Sequence, residues 1–132
     1  MDPQDIEHKL GSEWVARMGR DEFLARLTAE FPDVVSGIGP YSKGLLHCEV
    51  ADFRRATERA MDAGQLWEAE KHFRFVARLL SEADPELHNA LEVSYLEDLA
   101  LGEFNAARHR AVKERMPASL RAILVAHQPR WR

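Results

Sequence analysis

The chain has 132 residues, enough for one domain with a real core, and its 45% hydrophobic and 30% charged content is that of a globular rather than a disordered protein. A net charge of −4 and a pI near 5.9 argue against a general nucleic-acid binder, which would carry a basic footprint. One cysteine, Cys48, excludes an intramolecular disulfide and a multi-cysteine zinc site, and MDPQDIEHKL lacks the basic-then-apolar pattern of a signal peptide, so cytoplasmic residence is expected.

Between Asp5 and Met18, Ile6, Leu10 and Trp14 recur at every fourth residue, which predicts an amphipathic helix weakened by Gly11. Residues 1–20 are read as a helical extension and 21–132 as the helical domain. Asp21 is placed as the cap of a second helix whose Phe23, Leu24, Leu27 and Phe31 form an apolar stripe, ended before Pro32. The next stretch, PDVVSGIGPYSKG at 32–44, has the composition of a long loop. Its glycines match neither GxGxxG nor GK[ST], and no strand precedes them, so a phosphate loop is not expected.

A third helix is predicted from about Leu45 to Ala63, stopped by Gly64, with Leu46, Val50, Phe53, Ala56, Thr57, Ala60 and Met61 inside. Glu49 falls in or beside that arc, where a carboxylate needs a raised pKa or a cationic partner. The fourth helix, about Leu66 to Ala83, buries Leu66, Ala69, Phe73, Val76, Ala77, Leu79 and Leu80. Trp67 falls on its charged face, either as an exposed anchor for a partner or packed over the following turn.

Asp84 followed by Pro85 is a strong helix start, because the carboxylate accepts from free amides and proline's φ suits the first helical position. The helix from about 85 to 101 is apolar nearly all round and is read as the central helix, stopped by a left-handed Gly102. Asp98 falls between Leu87 and Leu91 on the wheel, so it is either a buried carboxylate with a partner or close enough to the helix end to reach water. Phe104, Ala107, Ala111 and Val112 mark a sixth helix to about Arg115, and Pro117 starts a seventh with Leu120, Ile123 and Leu124 inside. Trp131 ends the chain between two arginines, on the domain or on a partner.

Residues 81–103 carry seven carboxylates and no Lys or Arg, whereas 108–132 have a net charge of +6; the two segments either neutralise each other as neighbours, the favoured reading, or form separate binding patches. The segments GQLWEAEKHF from Gly64 and GEFNAARHRA from Gly102 align at an offset of 38 residues, each with a glycine turn, a large apolar residue (Leu66, Phe104) and a small one (Ala69, Ala107). The paired helices resemble tetratricopeptide-type repeats over about half the chain, without the full signature of that repeat. The run HCEVADFRRATERAMDAGQ through LLSEADPELHNALEVSYLEDL also resembles a family of small, uncharacterised bacterial helical domains. That resemblance implies an all-α fold and no established activity. The expected architecture is a single all-α domain of about six or seven helices, with antiparallel helical hairpins packed around the central helix.

For chemistry, the spaced pairs Glu68/His72, Asp84/His88 and His88/Glu92 each share a helix face, but no HExxH or comparable cluster marks a metal or cofactor site. Adjacent residues on a helix point about 100° apart, so His47 is poorly placed to activate Cys48, which reads as a buried structural cysteine. The preferred expectation is a non-enzymatic protein that binds another protein through Tyr41, Trp67, Glu92, Glu97 and Trp131, as an inhibitor or toxin-immunity partner; neither nucleic acid nor membrane is expected. Two alternatives stand beside it: a small hydrolase or ligand-binding domain with a cavity lined by Glu49, His72, Tyr95 and Asp98, and a self-associating helical-repeat scaffold.

Overall fold

The computed structural model describes residues 17–103 and 105–132. Ile6, Leu10 and Trp14 of the first expected helix, and Phe104, lie outside the described residues. Among the described residues the chain is all-helical: α1 (Arg20–Glu30), α2 (Pro32–Ser36), α3 (Leu46–Asp62), α4 (Leu66–Glu82), α5 (Pro85–Ala90) running into a π-helical segment (Leu91–Leu96), α6 (Ala106–Arg115), α7 (Ala118–His127) and a 3-10 turn (Pro129–Trp131).

The chain enters through a clamp. Met18 is buried, donates its N–H to the Glu82 carbonyl (2.7 Å) and accepts from the Asp84 N–H (2.7 Å), which ties it to the α4–α5 connection. Helix α1 then starts one residue before Asp21, with Gly19 in the cap position; Asp21 points to water and caps nothing. Phe23 and Leu27 are buried as the stripe requires. The expected loop at 32–44 is partly helical, because Pro32 supplies the fixed φ of a first turn and starts α2.

Helices α3 and α4 form the antiparallel hairpin on which the rest is built. Their turn is a Schellman motif: the Gln65 N–H reaches the Ala60 carbonyl (2.8 Å), the Gly64 N–H reaches Met61 (3.1 Å), and Gly64 takes a φ of 74°. At the other end of α3, Glu49 folds back and accepts from the Gly44 N–H (3.2 Å), just ahead of the helix start. The same carboxylate receives two hydrogen bonds from the Arg20 guanidinium, at 2.7 and 2.9 Å. Burial alone would raise the Glu49 carboxyl, but these donors outweigh it and hold it below the ordinary carboxylate range.

The central helix begins as read, with the Asp84 carboxylate accepting from the Leu87 N–H (2.8 Å) and Pro85 in the first turn. It does not continue to 101. From Leu91 the ladder widens to five-residue steps, shown by the bond from the Glu97 N–H to the Glu92 carbonyl (2.8 Å), and regular helix ends at Leu96. Two carboxylates of α3 then catch the departing backbone, Glu58 at the Ala100 N–H and Asp62 at the Gly102 N–H (both 2.9 Å). From the other side the Gln128 side chain donates to the carbonyls of Leu96 (2.7 Å) and Leu99 (3.0 Å). Gly102 therefore does not stop the helix in a left-handed conformation. It is small because a Cβ there would lie 2.7 Å from Asp62 Oδ2.

The core is one cluster drawn from every long helix and includes Phe53, Phe73, Phe75, Leu87, Leu91, Tyr95 and Leu96. Trp131 joins it, fully buried and stacked on the His109 ring at 4.0 Å between centroids. Burial in apolar surroundings, with Arg130 and Lys113 close by, lowers the His109 pKa. The tail thus docks on the domain, and Trp131 leaves the set of candidate partner contacts. The alanine pair of the internal echo does not correspond either: Ala69 is buried, Ala107 is exposed. No helix among the described residues is long and apolar enough to cross a membrane.

Candidate functional site

Three helices bring a set of polar side chains to one point in the core. Thr57 on α3 lies with its Oγ 2.8 Å from His72 Nδ1 on α4 and 2.6 Å from the Tyr95 hydroxyl in the π segment. It also donates to its own helix at the Phe53 carbonyl (3.3 Å). Around them stand Phe31, Phe53 and Phe75, with the His72 ring edge-on to Phe31 at 4.7 Å and to Phe53 at 5.1 Å.

One assignment of protons satisfies every contact. Thr57 Oγ has one proton and three neighbours, and a carbonyl can only accept. All three contacts are hydrogen bonds when Thr57 donates to Phe53 and accepts from the Tyr95 O–H and the His72 Nδ1–H. That arrangement leaves His72 Nε2 an acceptor. Burial lowers the His72 pKa to about 4, against the opposing pull of Glu68, so the ring is neutral at pH 7. Burial likewise raises the Tyr95 pKa, so the phenol keeps its proton.

The network reaches the surface through His72. Its Nε2 has no hydrogen-bond partner among the described residues and lies 3.5 Å from Glu68 Oε1. It sits in a groove of about 330 Å³ between α2 and the α3–α4 turn, with Val34, Ala56, Ala60 and Ala63 as apolar lining and Asp33, Arg59, Gln65 and Glu68 as polar lining. Asp33, Gln65 and Glu68 also line a broader trough of about 890 Å³ that runs past Gly64, Leu66, Trp67 and Arg115.

Trp67 lies at the edge of that trough, in the first turn of α4, with 64% of its surface exposed and Lys71 Nζ 5.7 Å from its ring centroid. Tyr41 is more exposed still, at 93%, in the segment before α3. Glu97 faces water, and Glu92 is half-buried between His88 (3.7 Å) and His127 (4.0 Å). Of the four residues expected to line one cavity, the fold joins His72 and Tyr95. Glu49 is engaged at the start of α3. The Asp98 side chain is 65% exposed and pairs with Arg54 (3.4 Å), because the helix has already ended and the wheel position no longer applies. Thr57, the residue at the centre of the network, belongs to the arc of α3 that the helical period assigns to packing, and its hydroxyl opposite His72 on the facing helix is the available signal.

Cys48 is exposed rather than buried, since the buried arc of α3 passes through Leu46, Glu49 and Val50 on either side of it. His47 turns away from it to Ser94 (2.7 Å). Among the described residues no Lys or Arg of 108–132 pairs directly with a carboxylate of 81–103, although Glu103 and Arg108 line one surface pocket. Glu82 pairs with Arg26, Asp98 with Arg54, and Arg115 with Glu70 instead. Among the described residues no group of three or more His, Cys, Asp or Glu side chains could hold a metal ion.

No curated protein and no solved structure matches the chain. The model of one family, described as a domain of unknown function (DUF7674), matches residues 24–132, which takes in every helix of the core from within α1 to the docked tail. The chain belongs to that family of helical domains.

Proposed function

We propose that this domain is a non-enzymatic, cytoplasmic protein-binding protein whose contact face lies at the α3–α4 turn, with Trp67 as its anchor. The observation that carries this reading is the exposure of that indole on a rigid helix start beside an open trough. An aromatic held by the scaffold at the edge of a concavity gains buried area on binding at small entropic cost, which is the basis of interface hot spots. Charge supports a basic partner, because Glu86, Glu97 and Glu103 are exposed and take no ion pair among the described residues. An inhibitor or immunity partner of a basic bacterial toxin is the specific form of this reading, since a carboxylate-rich surface substitutes for the phosphates that a basic nuclease binds.

The test is affinity capture from native lysate at low and moderate salt, with the wild-type chain beside Trp67→Ala and Glu97→Lys. A stoichiometric protein partner that is retained by the wild type and lost by Trp67→Ala, with salt and Glu97→Lys each weakening it, is the expected result. Capture indifferent to Trp67, or no stoichiometric partner at either salt, would overturn the reading.

A further inference from the structure

We propose that His72 and Glu68, at the inner end of the groove between α2 and the α3–α4 turn, form a receptor for an alkylammonium group, supplied by a lysine side chain of the partner. The source of that group rests on the protein-binding reading; its recognition is a property of this chain alone.

His72 Nε2 is a buried polar atom that opens into the groove without a hydrogen-bond partner among the described residues. The proton assignment that satisfies all three contacts of Thr57 leaves it an acceptor, and its neighbour at 3.5 Å is a second acceptor, Glu68 Oε1. Two acceptors side by side at that separation call for a donor that reaches both from the groove they line, and a buried acceptor left unmet is costly. An ammonium group has three donors and a positive charge, so it satisfies the imidazole nitrogen and the carboxylate together. The neutral state of the ring at pH 7 removes the repulsion that an imidazolium would exert.

The surroundings fit the rest of such a side chain. Val34, Ala56, Ala60 and Ala63 offer an apolar wall for a methylene stem. Asp33 adds a second carboxylate to the lining and Arg59, which is exposed, is the cation there. Lys71 approaches the other oxygen of Glu68, Oε2, at 3.8 Å from its own exposed position one turn along.

The test uses the full chain at pH 7, with nitrogen-15 spectra of the His72 ring recorded during titration with n-butylammonium chloride, a capped lysine amide and, as the uncharged control, n-butanol. The expected result is an Nε2 without a proton in the free protein and a saturable shift with both ammonium compounds but not with butanol. Binding should weaken about tenfold or more in Glu68→Gln, the loss expected for one charge-assisted hydrogen bond. An Nε2 that carries the proton in the free protein would overturn the proposal, because His72 would then itself donate to Glu68, as would shifts that butanol reproduces or that Glu68→Gln leaves unchanged. Butylammonium binding in a chain with no Trp67-dependent partner would overturn the lysine source in favour of a free amine. Capture without ammonium binding would overturn this inference and leave the protein-binding reading standing.

Discussion

The turn from α3 into α4 and the connection into α6 begin with matching residues and take different shapes. Gly64 adopts a φ of 74° and closes a Schellman turn, and α4 begins two residues later. Gly102 has no positive φ; its N–H is held by Asp62, and α6 begins only at Ala106, after Asn105 has capped it by accepting from the Arg108 N–H (3.0 Å). Trp67 and Asn105 occupy the same place in the alignment, one an exposed aromatic inside a helix and the other a cap outside one. Residue similarity at a fixed offset is thus no guarantee of a repeated unit, because one capping side chain shifts a helix start by two residues and every following side chain with it.

The sharpest way to break that contrast is to remove the two tryptophans in turn. Trp131→Ala should destabilise the domain by about 3–5 kcal/mol, whereas Trp67→Ala should change stability by less than about 0.5 kcal/mol, both read from urea unfolding. Equal losses would mean that the exposed indole also carries fold stability, and capture experiments with it would need another probe.

Next in size is the titration of His72, a polar residue of α4 at the floor of its groove. Its folded pKa of about 4 lies below the ordinary 6.5, so the unfolded chain takes up the proton first. The associated stability is complete above about pH 6.5 and is lost as the pH falls from there to 4, by about 3 kcal/mol in all. His72→Gln should flatten that stretch of the profile. Glu49, held down by Arg20, gives a further loss at lower pH, below the ordinary carboxylate range.

The aligned alanines come third. Ala69→Leu overpacks the α3–α4 contact and should cost about 1–3 kcal/mol, while Ala107→Leu on the exposed face should stay within about 0.5 kcal/mol. The smallest difference is between the glycines. Gly64→Ala places a side chain at positive φ and should cost about 1–2 kcal/mol. Gly102→Ala displaces the carboxylate of Asp62 and should cost about 0.5–1.5 kcal/mol through the weakened hydrogen bond. A melting series on these variants orders them directly.

What was legible in the sequence followed the strength of the helical period. Leu46, Val50, Phe53, Ala60 and Met61 marked the buried side of α3 correctly, and Gly64 and Asp84–Pro85 marked real ends, because each has a local cause in one side chain or one φ value. The π segment is not legible: an apolar run carries no sign of where the hydrogen-bond step lengthens, so wheel positions after Leu91 lose their meaning, and of the two readings open for Asp98 the one near a helix end and in reach of water is the one found. The burial of Trp131 depends on a tail meeting α6, a long-range event with no local signature. The network was half legible: His72 and Tyr95 stood out as polar residues near apolar arcs, but only the facing of three helices joins them through Thr57.

The clamp at Met18 gives the molecule a defined point of mechanical loading. Two backbone hydrogen bonds hold this residue in register with the α4–α5 connection, running from the Met18 N–H to Glu82 and from the Asp84 N–H to Met18. Asp84 is also the cap of α5. A tether attached ahead of Arg17 and pulled away from the domain therefore loads this pair of bonds in advance of the aromatic core. Its yielding would slacken the start of the central helix before any side chain around Phe53 loses its neighbours.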